Sequence, residues 1–258
     1  MHLQQKCMNL SVAIITYNEE RIIEKNLQAI DALADEIVVV DSFSTDKTRE
    51  ICEKYSKVKF IQKKFEGFGQ QKNFAIDNCS GSWILFLDAD EIPDEDAMKS
   101  IKKVLHSHHP FFNVFEIHFN NILLNKVIRY GGWGNVWRER FFRKGHGKYS
   151  DDLVHETFIT KDKKGKLDGN INHYTYKSIN HHVEKINNYT QLMAEKKVLS
   201  KKKVSLFKII VSPFYEFVKI YFLRLGFLDG IAGFYISITG AFYTFLKYIK
   251  MNEILKAK

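Results

Sequence analysis

Trp83-Ile84-Leu85-Phe86-Leu87-Asp88-Ala89-Asp90-Glu91 is an apolar run that breaks into acid. Glu36-Ile-Val-Val-Val-Asp41 has the same design. Uninterrupted apolar residues fit strands buried on both faces, as parallel strands are. Each strand then delivers carboxylates at its C-terminal end, the edge where open α/β sheets bind ligands. In extended chain, residues two apart point to the same side, so Asp88 and Asp90 can face one ligand. The small Ala89 between them permits close approach. Hard cations such as Mg²⁺ or Mn²⁺ take one or two carboxylates plus phosphate oxygens. The pattern therefore suits a divalent metal carrying a nucleotide diphosphate. The competing reading is a solvated acidic turn leading into a helix at Pro93.

Outward from that strand the first half alternates strand and helix patterns. Leu10–Thr16 is an apolar, β-branched run, and Asn18 stands as an N-cap with acids after it. Ile22, Ile23, Leu27, Ile30 and Leu33 recur at helical spacing. A loop at 41–46 caps a short helix bearing Ile51 and Tyr55, and strand 58–61, helix 70–78 and strand 83–87 follow. Pro93 suits the first turn of a helix running to about His106. This order implies a parallel, doubly wound sheet. A further strand region covers 112–124, and 125–180 has little clean periodicity. From His181 the pattern is helical.

Asp41 ends the strand beside the first one, and Thr16-Tyr17 ends the first, so three strand ends line one edge. Asp41 either accepts a hydrogen bond from a nucleoside or forms an Asx turn before Ser42. Tyr17 could cover a base. No GxGxxG follows the first strand and no GxxxxGK[ST] is present, which disfavours a dehydrogenase and a P-loop NTPase. A diphosphate at this edge would depend on a metal for neutralisation.

The 258 residues, 45% hydrophobic and 14% aromatic, are enough for a packed core and exclude a disordered chain. Cys7, Cys52 and Cys79 are scattered and lack CxxC spacing, which fits a reducing compartment. The start has no signal-peptide-like apolar region, so a cytoplasmic location is expected. The net charge of +9 is uneven. Residues 1–130 carry 16 basic against 19 acidic side chains, and 131–258 carry 23 against 11. Only the second half should be drawn to an anionic surface. No RNP, zinc-finger or helix-turn-helix pattern accompanies that charge, so nucleic acid is not an expected partner.

Several segments together resemble the GT-A domain of family 2 glycosyltransferases. They are Ser-Val-Ala-Ile-Ile-Thr-Tyr-Asn-Glu-Glu (11–20), Val-Val-Val-Asp-Ser-Phe-Ser-Thr-Asp (38–46), Phe68-Gly-Gln-Gln-Lys-Asn73 and Leu87-Asp-Ala-Asp-Glu91. Later pieces resemble the lipopolysaccharide-core β-glucosyltransferase subfamily: Gly131-Gly132-Trp133, Arg140-Phe-Phe-Arg143, Val154-His155-Glu156, Leu167…His173-Tyr-Thr-Tyr and Phe227-Leu-Asp-Gly230. One departure is Trp133-Gly-Asn-Val, where the subfamily commonly has Trp-Tyr-Pro-Asp; that loop would serve the acceptor.

The resemblance implies a GT-A, Rossmann-like, mostly parallel sheet with flanking helices over residues 1–180, plus a C-terminal helical, membrane-associating region over 181–258. Residues 1–120 would form the nucleotide-sugar half and 121–180 the acceptor and catalytic half. The implied reaction is inverting transfer of a hexose, glucose by preference, from a UDP-sugar to a lipid-linked saccharide, with Mg²⁺ or Mn²⁺. Thr16, Tyr17, Asn18, Glu19, Asp41, Lys72, Asp88, Ala89 and Asp90 would bind the nucleotide sugar. Asp90 and Asp88 would meet the metal, with His173 a third ligand or a structural histidine. Trp133 and Arg140 fall to the acceptor. Inversion needs a base for the acceptor hydroxyl; Glu156 is the choice, with Asp152 and Asp151 as competitors. A metal-dependent nucleotidyltransferase and a non-catalytic membrane-docking scaffold are the alternative readings.

Two histidine groups read as solvated helix ends: His106, His108 and His109 before Pro110, and His181-His182. In the basic, aromatic tail, Leu206, Ile209, Ile210, Phe214, Phe217, Ile220 and Tyr221 share one helical face, with Lys208, Ser212, Glu216 and Lys219 opposite. That pattern predicts an interfacial amphipathic helix on an anionic membrane. The uncharged stretch 230–246 falls short of the roughly 20 apolar residues of a span. Peripheral attachment to the inner face of the cell membrane follows, unless these helices pack on the core or on a second copy.

Overall fold

The structure, a computed structural model, describes residues 9–107, 109–151, 156–176, 178–200 and 204–256. The chain begins β1 (Leu10–Thr16), α1 (Ile23–Asp31), β2 (Glu36–Asp41), α2 (Thr48–Cys52), β3 (Val58–Gln62), α3 (Phe68–Asp77), β4 (Trp83–Asp88). It continues β5 (Glu91–Pro93), α4 (Glu95–Leu105), β6 (Val114–Leu123), β7 (Lys126–Val127), β8 (Val136–Arg143), β9 (Lys148–Tyr149), β10 (Phe158–Ile159) and β11 (Lys164–His173). Helices α5 (Ile179–Leu199), α6 (Leu206–Val218) and α7 (Ile231–Lys256) complete it, with a π-helical turn at Lys219–Leu223 and a 3₁₀ turn at Gly226–Asp229.

The main sheet runs β3-β2-β1-β4-β8-β6-β11-β5, with β7 paired to β6. Strands β3, β2, β1 and β4 are parallel, and β8 pairs antiparallel with both β4 and β6. The expected parallel sheet is therefore the first half of a mixed one. The antiparallel half comes from 114–173, where β6 alternates between buried and half-buried side chains and the helix-strand rhythm is lost. On β1, Val12 and Ile14 pack with Ile23, Leu27 and Ile101, while Ala13 and Ile15 pack with Ala75, Ile76 and Phe86. Both faces are thus covered, which is why the strands read as unbroken apolar runs.

Two predicted helix starts move. Asn18 takes a left-handed conformation (φ 54°) and does not cap α1, whose N-cap is Ile22. Pro93 closes β5, and Asp94 caps α4 by accepting from the Ala97 N–H at 2.8 Å.

The chain forms two compact units: one runs to Phe119 and includes Val136–His173; the other comprises Asn120–Asn135 with Tyr174–Lys258. The second unit thus takes a segment that the linear division at 180 assigned to the catalytic half. Leu123 and Ile128 are buried there with Ile220, Ala232 and Ile236.

Candidate active site

Strand register sets the edge of the site. Thr16 pairs with Asp41, Ile15 with Asp88, and Asp41 with Gln62, so the ends of β1, β2 and β4 align. The loops leaving β1 and β2 are tied together. Asn18 N–H donates to Ser44 Oγ (2.8 Å), and Asn18 Oδ1 accepts from Thr45 N–H (2.8 Å). Glu19 N–H donates to Thr48 Oγ1 (2.8 Å). Asn18 and Glu19 therefore shape the loop through backbone and amide contacts.

Asp41 is fully buried, and its carboxylate accepts from the Ser44 N–H (2.8 Å) and the Ser44 hydroxyl. The loop-closing contact expected of Asp41 is thus present. Tyr17 projects from the same edge with 56% of its surface exposed. The Thr16 hydroxyl is buried with no partner among the described residues, which leaves it free to meet a ligand.

The centre is a ring of opposite charges. Lys72, on α3 and 2% exposed, places Nζ 2.7 Å from Glu156 Oε1 and 3.4 Å from Asp88 Oδ2. Arg140, on β8, donates to both Glu91 oxygens at 2.7 and 2.9 Å and lies 3.5 Å from Asp88 Oδ2. Burial alone would lift the Asp88 pKa, but Lys72 and then Arg140 hold it down to about 2. Burial pulls the Lys72 amine down, and Asp88, Tyr149 and Glu156 outweigh it, so its pKa lies above the ordinary value.

Arg140 is only 2% exposed, with its guanidinium under the carboxylates. It pairs with Glu91 and, at longer range, with Asp88. Trp133 belongs to the second unit, where its ring lies 6.1 Å from Tyr176 and its carbonyl accepts from Asn121 Nδ2 (2.6 Å). Asp152 and His155 lie outside the described residues. Asp151 is exposed.

Pairing of β11 with β5 sets His173 opposite Glu91 and brings its Nε2 to 3.7 Å from Asp90 Oδ2. Burial opposes protonation of His173, yet the hydrogen bond and charge of Asp90 raise its pKa. Among the described residues, no three carboxylate, imidazole or thiolate groups form a ready-made metal cage. The donor set nevertheless fits a hard divalent cation. Asp90 and His173 are adjacent, Asp88 Oδ1 is buried without a partner, and phosphate oxygens can complete the shell. The other oxygen of Asp88 is approached by Lys72 and Arg140.

One positioning residue escaped the sequence reading. Asn26, fully buried on α1, donates through Nδ2 to the carbonyls of Asp88 (3.3 Å), Ala89 (3.3 Å) and Glu91 (2.8 Å). The available signal was an amide among Ile23, Leu27 and Ile30 on the apolar face of that helix. Asn73 does similar work on α3, exchanging two 2.9 Å hydrogen bonds with the Tyr149 backbone. Gly69 lets Ser150 approach; a Cβ there would fall 1.8 Å from the Ser150 carbonyl oxygen. Helix α3 thus holds the chain just before the segment that leads to Glu156.

Residues 11–162 match Glycosyl transferase family 2. The chain is 30% identical, over 96% of its length and 94% of the relative's, to the lipopolysaccharide core biosynthesis glycosyltransferase LpsC of Rhizobium meliloti. An uncharacterized glycosyltransferase of Rickettsia conorii is likewise 30% identical, over 96% of this chain and 92% of its own. The mannosyltransferase PcManGT of Pyrobaculum calidifontis, solved with GDP-Man and Mn²⁺, shares the fold with a TM-score of 0.52 and 16% identity, covering 95% of this chain and 87% of that one. Acid-ended parallel strands, the carboxylate edge they build and a family match across most of the first unit agree: the chain belongs to glycosyltransferase family 2.

Proposed function

We propose that this glycosyltransferase moves a hexose, glucose by preference, from a UDP-sugar to a lipid-linked saccharide of the lipopolysaccharide-core kind, with inversion, at the inner face of the cell membrane. The observation that carries the chemistry is the Glu156–Lys72–Asp88 chain of charges at the β4 edge. The nucleoside would lie along Thr16 and Tyr17, and the diphosphate against Asp88 and Asp90. Asp90 and His173 would hold a Mg²⁺ or Mn²⁺ ion, which, when bound, stabilises the charge of the departing diphosphate.

The acceptor hydroxyl oxygen forms a bond to the anomeric carbon as the bond from that carbon to the diphosphate oxygen breaks. The electron pair leaves with UDP, and the hydroxyl proton passes to Glu156. Lys72 grips Oε1 of Glu156, leaving Oε2 for the proton, and Arg140 fixes Asp88 from below. Two supports favour the membrane side: the similarity to a lipopolysaccharide core enzyme and the outward face of α6, where Leu206, Phe207, Ile210, Phe214 and Tyr215 are all exposed.

A panel of nucleotide sugars incubated with the purified protein and Mn²⁺, scored by nucleotide release, tests the donor. Asp90→Ala is expected to abolish metal-dependent UDP binding, and full activity would remove Asp90 from the site. Glu156→Gln is expected to lower turnover at least about 100-fold with donor affinity kept. If Asp152→Asn does this instead, the base is Asp152.

A further inference from the structure

Within the second unit, Lys126, Val127, Arg129, Tyr130, Leu228 and Asp229 line a cleft of about 470 Å³. The acid in it is spent internally. The Asp229 carboxylate accepts from the backbone N–H groups of Arg129 (3.1 Å) and Tyr130 (2.8 Å), and Lys126 Nζ donates to the Asp229 carbonyl (2.8 Å). Among the described residues neither Arg129 nor Arg224 has an ion-pair partner, and both are exposed. Arg224 packs on the two glycines that follow Tyr130 of the cleft: a Cβ on Gly132 would meet its Nη1 at 2.4 Å, and Gly131 N–H donates to its carbonyl (2.9 Å).

Around this basic opening the backbone is strained so as to present apolar side chains. Leu124 (φ 51°) and Asn125 (φ 58°) form the tight turn between β6 and β7. Such turns favour Asn or Gly at both positions, and a leucine gains nothing locally there. Leu225 (φ 56°) follows the π-helical turn in the same left-handed state. Both leucines are exposed, as are Phe227 and Leu228. Strain of this kind persists at places of contact and function, and π-helical turns occur at such places too.

We infer that this cleft seats the phosphate of an anionic bilayer lipid, with Arg129, Arg224 and Lys126 on the headgroup and Leu124 and Leu225 entering the acyl layer. The planar guanidinium matches phosphate oxygens in two-pronged geometry. A soluble phosphate would match the arginines equally well but would leave the leucine rim in water, so the rim decides for lipid. The inference rests on the peripheral-membrane reading above and goes beyond it by naming the residues that select anionic lipid.

The test is co-sedimentation of the full chain with phosphatidylcholine vesicles, with and without phosphatidylglycerol. The Arg129→Gln/Arg224→Gln double variant is expected to bind the anionic vesicles roughly 30-fold more weakly, at about fivefold per charge removed. Its weak binding to pure phosphatidylcholine and its thermal midpoint should not change. Leu124→Ser/Leu225→Ser should weaken binding to both vesicle types. If the arginine variant binds anionic vesicles as the wild type does, the headgroup cleft is wrong while the peripheral reading stands. If the wild type binds no vesicles, both fall. Inorganic phosphate that protects the arginines from phenylglyoxal as well as anionic vesicles do would overturn the lipid assignment. So would a concentration-dependent dimer that masks the leucines.

Discussion

Asn26 shows how much one side chain can hold at this site. Its single amide nitrogen spans three carbonyls of the Asp88–Glu91 turn, so Asn26→Leu would leave those carbonyls unpaired beneath the carboxylates. The expected cost is about 2–3 kcal/mol of stability by urea denaturation, with a larger loss of UDP binding than a merely destabilised protein would show. His182 departs most from its reading as a solvated helix end. It is buried, its ring stacks on Tyr176 at 3.8 Å, and its Nδ1 is 2.8 Å from the Tyr235 hydroxyl. Burial, then Lys185 and His181, pull its pKa from 6.5 down to about 4. The unfolded chain therefore binds the proton more readily between those values. Stability should be full above about pH 6.5, fall by up to about 3 kcal/mol towards pH 4, and level off below. His182→Phe should flatten that part of the pH profile of the urea midpoint. Cys52 and Cys79 are buried, and burial pushes both thiols up to about 12. Iodoacetamide at pH 8 should modify neither in the folded protein, and both after urea, as mass spectrometry would report.

At the scale of elements, α3 and α6 carry the lesson. Helix α3 reads from sequence only as a helix over 70–78, yet its first half serves the site: Gly69 for close approach, Lys72 for charge, Asn73 for the Tyr149 backbone. Gly69→Val should keep the helix and lose activity, because its side chain would collide with the Ser150 backbone; retained turnover would show that this segment can shift freely. In α6 the apolar stripe is divided between the inside and the outside. On the face opposite the stripe, Lys208 is exposed, Ser212, Glu216 and Lys219 are half-buried, and Glu216 pairs with Lys219 at 3.1 Å. Of the stripe, Ile209 and Ile220 are buried, while Leu206, Ile210 and Phe214 are exposed, as is the neighbouring Phe207. A helical wheel identifies the apolar stripe correctly, but only the packing partner decides whether that stripe faces inward. Here part of the stripe is buried and the rest is left outside. Among the described residues no helix is long and apolar enough to cross a membrane.

For the whole molecule, the second unit is discontinuous in sequence, and this has a practical consequence. A chain cut after His173 would leave Leu123 and Ile128 without Ile220, Ala232 and Ile236, and is expected to aggregate on expression where the full chain stays monodisperse by light scattering. The sequence by itself determined the parallel strands β1, β2 and β4, the Asp88–Asp90 pair at their edge and the family, because buried parallel strands and strand-end acids are local patterns of hydrophobicity and charge. It also supplied Lys72 and Glu156 as candidates, without their contact. Only the tertiary structure decided that Lys72 bridges Glu156 to Asp88, that Arg140 lies beneath the carboxylates, that β11 delivers His173 to Asp90, and that Asp41 closes its own loop. Those facts depend on pairing between strands and helices far apart in the chain, and a one-dimensional pattern holds no record of which distant group neutralises a buried charge.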